Sequence, residues 1–379
     1  MNVIIIGAGI GGLTTAIALQ KANINVSVYE RSPEIKAVGA GLSLWANALN
    51  VYDALGLGDS LRRHGKPNLD AGIHDWRGST LVNSDSSQVD YEIEVIHRAE
   101  LQDLLFNAYT GDLHLGYSAV RYENQADGVR VYFDDGTHAD ADLLIASDGI
   151  HSPIRQQMHP NTPPKYAGYT AWRGVVPFSH AQVGAMWGES WGHGQRFGIT
   201  PLREDRVYWF ATGNEPAGQQ YTSDENKAIL LDRFADWHAP IKQLLDATDA
   251  NNILYNDIYH IDPLPFWVDG RAVLLGDSAH AMTPNMGQGA CQAIEDAYAL
   301  PYYLQTRPDI RTALQAYDRI RRPRTTFVMK QSERIGQAGQ LENRALVWLR
   351  NTAVKMTPQS VTQKTLNAVV GYDVREELA

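Results

Sequence analysis

The chain has 379 residues, 44% hydrophobic and 20% charged, with a formal net charge of −10 and one cysteine. Single cores stop growing near ~250–300 residues, so this length implies two domains. The acidic balance argues against a nucleic-acid binder, which needs a basic face. The lone Cys291 excludes an internal disulfide and a cysteine metal cluster, and the 12 histidines show no metal-ligand spacing, so no metal site is read.

The chain opens on Val3–Ile6, an apolar β run, followed by Gly7-Ala8-Gly9-Ile10-Gly11-Gly12 and a helix of small and apolar residues. A second β run, Val26 to Tyr29, closes on Glu30. Gly7, Gly9 and Gly12 fill G-x-G-x-x-G: one for the tight turn, one for close approach of a pyrophosphate, one for helix–strand packing. Helix N–H groups then face the phosphates, and Glu30, 18 positions past Gly12, can accept from the ribose hydroxyls of an adenosine. The motif alone does not choose between FAD and NAD(P). The apolar start lacks a basic n-region and is broken by glycines, so it is not read as a signal peptide. No stretch reaches the ~18 continuous apolar residues of a membrane helix, and a soluble cytoplasmic protein is expected.

Arg31-Ser32-Pro33 reads as a turn. Val38 to Leu44, with Gly39 and Gly41, suits either a backbone lying against a flat ligand or an ordinary bend. Asn47–Leu57 has helical spacing, and Ile73–Asp90 reads as a hairpin. Arg98 opens a helix with Leu101, Leu104, Leu105 and Ala108 on one face; locally it is a surface cation or a holder of a phosphate or ribityl oxygen. Val120–Glu123 and Val129–Phe133 alternate as strands, the second followed by a turn at Asp134–Thr137. A buried strand, 141–146, then ends in Ser147-Asp148-Gly149-Ile150-His151-Ser152-Pro153-Ile154-Arg155.

From Ala167 to about Pro265 the texture changes. Five of the nine tryptophans lie between Trp172 and Trp237, and runs such as 170–176 and 206–211 alternate with period two. This is read as an antiparallel sheet with one helix, Asp224–Trp237, and its aromatic face as a wall for a flat substrate or simply a core. A buried strand returns at Ala272–Leu275 and leads into Gly276-Asp277, Pro284, Gly287-Gln288-Gly289 and a helix, 290–304. The sheet domain is therefore an insertion, which places the largest cleft at the junction. Ala313–Glu333 reads as a basic helix interrupted at Pro323, and Leu341–Met356 as an amphipathic helix that either packs on the first domain, the favoured reading, or lies on a membrane surface. Gly188-Glu189-Ser190-Trp191-Gly192 matches the serine-hydrolase G-x-S-x-G, but a β run rather than a helix follows it.

Three motifs in order, Gly7/Gly9/Gly12 with Glu30, Asp148-Gly149-x-x-Ser152-x-x-Arg155, and Gly276-Asp277 through Pro284 to Gly287-Gln288-Gly289, resemble the single-component FAD-dependent aromatic hydroxylases. This is the family of para-hydroxybenzoate and salicylate hydroxylases. Arg196 to Leu202 and Val207 to Phe210 look most similar to zeaxanthin-epoxidase-like and urate-hydroxylase-like members. One departure is Ala46-Asn47-Ala48, where family members usually have Pro-Asn-Ala. The resemblance implies an α/β fold: a Rossmann-like FAD-binding domain of glutathione-reductase type (1–70, 98–166, 266–325), an inserted, mostly antiparallel substrate domain (71–97, 167–265) and a C-terminal helical segment (326–379).

It also implies roles. Gly7, Gly9, Gly11, Gly12, Glu30, Arg31, Gly41, Arg98, Asp148, Asp277, Gly287, Gln288 and Gly289 would bind FAD. NAD(P)H would bind transiently as co-substrate, with Asp148 serving both. A C4a-hydroperoxyflavin formed with O2 would hydroxylate or epoxidise a small aromatic, heteroaromatic or polyene substrate. Arg196 and Tyr208 would contact it, and Pro284 would line the reoxidation side. A monomer or homodimer without stable membrane association is expected. The alternatives are a flavin-dependent reductase of unsaturated lipids, a non-catalytic flavin-binding protein and a serine hydrolase.

Overall fold

The structure, a computed structural model, describes residues 1–35, 40–67, 71–82 and 91–378. A six-stranded sheet forms the base, in the order Val268–Asp269, Ala272–Leu274, Leu143–Ala146, Asn2–Ile6, Asn25–Glu30, Asp112–Leu115. Its pairs are parallel except the first, so the strands need crossovers and are buried on both faces. That is why Val3, Ile4, Ile5 and Ile6 run without a polar break. The helix Ile10–Lys21 covers the sheet and packs on Gly289–Thr306. A three-stranded meander, Ala119–Asn124, Val129–Phe133 and His138–Ala141, supplies a side wing.

A seven-stranded sheet stands beside this unit, in the order Leu254–His260, Lys165–Pro177, Arg206–Gly213, Gln195–Leu202, Gly188–Trp191, Gly72–Asp75, Thr80–Val82. Only the pair Gly188–Trp191 with Gly72–Asp75 is parallel. The side chains of Phe197, Ile199, Val207, Trp209 and Ala211 point to one face and bury with Trp172, Leu230 and Phe234 in a second core. Period-two alternation therefore sends Arg196, Gly198 and Thr200, and Tyr208, Phe210 and Thr212, to the other face. A third small sheet pairs Gly41–Trp45 with Ile93–His97, and the latter with Lys66–Pro67. Val38, Gly39 and positions 83–90 of the expected hairpin lie outside the described residues.

Three expectations are corrected. The helix expected over 224–237 is Ser223–Arg233, started by a capping box between Thr222 and Glu225. It stops because the Phe234 and Trp237 rings, 4.8 Å apart, turn down into the aromatic core. Pro323 does not interrupt its helix, which runs unbroken from Ile310 to Gly339. The local cost of a mid-helix proline, about 3 kcal/mol, is offset by packing along the length of Gly289–Thr306. The last amphipathic helix, Arg344–Met356, docks on the inserted sheet and not on the first domain: Val347 and Arg350 turn inward, and Arg350 donates to the carbonyls of Gly192, Ala338 and Gly339.

Arg321, fully buried, ties the long helix to its neighbour. Its Nε donates to Asp296 (2.7 Å) and its Nη1 to Glu295 (2.5 Å). Asp296 also holds His280 (2.6 Å), and Glu295 accepts from Asn47 (2.5 Å) and Gln292 (2.7 Å). Burial works against the Arg321 charge, but the two carboxylates outweigh it and raise its pKa. Burial likewise pushes Asp296 up, and His280 with Arg321 pulls it net below the ordinary carboxylate range. Arg321→Leu removes the cation shared by two buried carboxylates and leaves Asp296 with His280 and Glu295 with the more distant Arg324 (3.3 Å), so urea unfolding of the apoprotein is expected to show a loss of roughly 3–5 kcal/mol. A loss below about 1 kcal/mol contradicts the role given to this cluster.

Candidate active site

The strands Asn2–Ile6, Leu143–Ala146 and Ala272–Leu274 are adjacent and parallel, and their last residues, Ile6, Ala146 and Leu274, are in register. Each is followed at once by one of the three motifs. Ligands of open α/β sheets bind at these carboxyl ends.

In the first motif, Gly7 has φ +101°, and a Cβ there would lie 2.3 Å from the Ser147 carbonyl oxygen. A Cβ on Gly12 would lie 1.9 Å from the Gly7 oxygen. Both glycines are demanded by the turn itself. Gly9 differs: its Cβ would meet nothing within 4 Å, so the outer side of the turn is open. The helix it caps has no acid in its first turn and no side-chain cap, leaving N–H groups for an anion. Gly11 faces Ala293 and Leu275, as a helix-packing position. Glu30 closes over the turn, accepting from the N–H of Ala8 (2.8 Å) and Ser32 (2.9 Å). Arg31 is exposed just beyond. Arg98 is exposed at its helix start, and its N–H donates to the Ala40 carbonyl (3.0 Å), tying it to the Gly41 segment.

In the second motif, Ser152 accepts from the Arg155 N–H (2.9 Å) and caps the helix Pro153–Met158. This short helix folds the Arg155 guanidinium back toward Asp148. Arg155 is fully buried, with Nη2 on the Ile150 carbonyl (2.5 Å) and Nη1 without a partner. Burial lowers its pKa, against the pull of Asp148 and Asp277. Burial also pushes the Asp148 carboxyl up to about 6, with the Ser152 hydroxyl and Arg155 opposing.

In the third motif, Gly276 (φ +66°) donates its N–H to Asp296 (3.1 Å), which links the turn to the Arg321 cluster. Asp277 is exposed beside Gly289, where a Cβ would sit 3.9 Å from its Oδ1. Gly287 has φ +60° and leads through Gln288 into the helix Gly289–Thr306, whose first turn has neither acid nor side-chain cap. Asn47 fixes Gln288 by donating to its Oε1 (3.0 Å), so the asparagine kept in Ala46-Asn47-Ala48 does structural work. The buried Nε2 of Gln288 and Nε1 of Trp45 have no partner. Buried donors cost about 1–3 kcal/mol when left unmade, so these two mark where a ligand acceptor belongs.

The open face of the inserted sheet forms the facing wall. Arg196, 1% exposed, donates Nε to Gln340 (3.0 Å) and Nη2 to Asn285 (2.5 Å), with Glu189 3.5 Å from Nη1. Asn285 belongs to the turn Pro284–Met286 just before Gly287, and Tyr169 donates to it as well (3.1 Å). Pro284 is exposed on that turn. Tyr208 packs on Gly41, where a Cβ would lie 2.5 Å from its ring. Between Arg196 and Tyr208, Phe210 covers Gly198, whose Cβ would lie 2.0 Å from the Phe210 ring. Arg196 pairs with Thr212 in register, so Tyr208 lies four residues along the same face, about 13 Å away.

Several residues at the site escaped sequence reading. Glu189, Asn285 and Gln340 meet at Arg196 from three distant segments. Gly336 and Gly339 let Asn285 and Arg196 reach the long helix, since Cβ atoms there would clash at 2.3 and 2.8 Å. A run of small residues in an amphipathic helix was the one signal for these last two. Ser190 of G-x-S-x-G lies mid-strand, its Oγ 2.7 Å from His238 Nε2. The other nitrogen of His238 bonds the Ala239 carbonyl, where a triad would place a carboxylate.

An open N–H turn with an acid beyond it, unpartnered buried donors and the positive end of a helix fit one FAD, so fold and site define a flavin-dependent oxidoreductase. The FAD binding domain family model matches residues 1–332, and the chain belongs to that family. It is 40% identical over 361 residues to the aurachin C monooxygenase/isomerase of Stigmatella aurantiaca, covering 94% of each chain. It is 38% identical over 326 residues to an FAD-dependent urate hydroxylase of Klebsiella pneumoniae, covering 84% of this chain and 85% of the relative. The structure of Klebsiella pneumoniae HpxO complexed with FAD and uric acid superposes with a TM-score of 0.90 at 32% identity, covering 98% of this chain and 96% of that one. The protein is an FAD-dependent monooxygenase of the aromatic hydroxylase type; neither a lipid reductase nor a hydrolase is supported by these relatives.

The Asp148 carboxyl has a pH signature. Its folded pKa of about 6 lies above the unfolded value of 3.8, so its contribution is fully present below pH 3.8 and is lost as pH rises through 6. Across that window the wild-type apoprotein is expected to lose up to about 3 kcal/mol more stability than Asp148→Asn in urea titrations. Parallel pH profiles for the two proteins would contradict the assignment.

Proposed function

We propose that this enzyme hydroxylates a small nitrogen-heteroaromatic ring bearing a ring carbonyl, consuming NAD(P)H and O2. The observation that carries the reading is Arg196, buried on the substrate wall yet hydrogen-bonded to the turn that opens the flavin-facing helix. Three of its five N–H groups meet Gln340, Glu189 and Asn285, which leaves two for a carbonyl or anionic oxygen. The kinship with a urate hydroxylase supports the same substrate class.

The bound FAD supplies the redox chemistry with NAD(P)H and the transfer of one oxygen atom. The glycine turn and Glu30 hold its adenosine and pyrophosphate end, with Arg31 and Arg98 at the rim. Asp277 and the second motif hold the ribityl region. Gly287, Gln288 and Gly289 would offer the positive end of their helix to the pyrimidine part of the flavin, where it would favour negative charge. Phe210 on Gly198 gives the substrate ring a flat floor. Burial raises the Tyr208 pKa, with Arg173 opposing, so its hydroxyl stays protonated at neutral pH and donates to the substrate at the far end from Arg196. The wall also keeps water from the reacting atoms, with Pro284 at its edge. In this reading 1–70, 98–166 and 266–325 carry FAD and 71–97 with 167–265 carry the substrate.

Arg196→Lys and Tyr208→Phe are expected to keep the flavin absorbance and NAD(P)H oxidation while lowering product formed per NAD(P)H, with the turnover to product reduced about 10²-fold in each. The balance appears as H2O2. The assay uses urate as the first of a panel of N-heteroaromatics. Unchanged coupling in both variants removes these residues from the site.

A further inference from the structure

The helix Arg344–Met356 turns Val347 and Arg350 inward and leaves the opposite face apolar. Leu346, Trp348, Leu349 and Met356 are 48%, 67%, 56% and 76% exposed, and Val361 in the next helix is 53% exposed. These are the five most exposed large apolar side chains among the described residues. A solvent-facing helix side is ordinarily polar, so a clustered apolar face marks an interaction surface.

The charge of the same segment is opposite to that of the protein. From Asn343 to Tyr372 the sequence holds Arg344, Arg350, Lys355 and Lys364 and no Asp or Glu, in a chain of net charge −10. Arg344, Lys355 and Lys364 are exposed beside the apolar face. The acid just before the helix, Glu342, accepts from Asn214 (2.7 Å). No helix among the described residues is long and apolar enough to cross a membrane.

We propose that this face docks the enzyme reversibly on an anionic bilayer surface, with Trp348, Leu349 and Met356 inserted at the headgroup level and the basic side chains on the lipid phosphates. Such docking is peripheral and reversible, and so compatible with the expected lack of stable membrane association. The charge favours lipid over a second copy of the chain: a two-fold dimer through this face would set its basic residues against themselves. The following helix, Gln359–Val370, packs Val369 and Val370 against Val328, next to Trp45, Met282 and Met286. The docked segment therefore borders the flavin cleft.

Co-sedimentation of the FAD-loaded full chain with phosphatidylcholine vesicles, with and without phosphatidylglycerol, tests this. The wild type is expected to pellet with the anionic vesicles about tenfold more than with the neutral ones, and to be released by salt. Trp348→Glu with Leu349→Glu is expected to lower pelleting about tenfold while leaving the melting temperature and flavin absorbance unchanged. Replacing Arg344, Lys355 and Lys364 with Gln is expected to abolish the anionic preference. The proposal is overturned if the wild type stays in the supernatant with both vesicles or if the double-Glu variant pellets like wild type. A wild-type dimer that dissociates in that variant without vesicle binding also overturns it.

Discussion

Three parallel strands end side by side at Ile6, Ala146 and Leu274, and the site depends on that alignment. Motifs separated by more than a hundred residues start from one line in space. Both faces of these strands are buried, so a slip of one residue in either pairing would exchange differently sized side chains between two packed layers, and close packing resists it. The cofactor's binding elements are thus positioned by strands buried in the core.

The third motif needs more support than its short strand gives, and the buried Arg321 cluster supplies it. Asp296 holds both the Gly276 N–H and His280, while Glu295 reaches Asn47, which fixes Gln288. One salt-bridged cluster therefore orients both ends of the segment from Gly276 to Gly289. The inserted sheet joins through Arg196, which meets the same segment at Asn285, and through Tyr208 on Gly41. Substrate wall and cofactor cradle share polar contacts, so their relative placement is coupled.

Much of this was legible in the sequence because glycine is a local constraint. Gly7 and Gly287 sit where φ is positive, and a Cβ on Gly7 or Gly12 would strike backbone that no neighbour can move. Glu30 and Asp277 were legible as acids at strand ends. What stayed hidden depends on tertiary contact. Pro323 reads as a break, but packing against Gly289–Thr306 carries the helix through it. Gly41 suggests room for a ligand, and the space its missing side chain leaves is taken by Tyr208, a contact no local pattern shows. The helix Arg344–Met356 is amphipathic by pattern, yet its apolar face is the outer one, since Arg350 satisfies three carbonyls on the inner side. The partners of Arg196 come from separate elements, and no spacing links them.

The central claim is that three sequence-distant clusters hold a single flavin. Titration of the apoprotein with FAD, followed by flavin fluorescence and visible absorbance, tests it most directly. Saturable binding of one FAD per chain, giving a yellow protein that retains the cofactor through gel filtration, is the expected result. A protein that stays colourless, or that binds FAD without saturation, would contradict it.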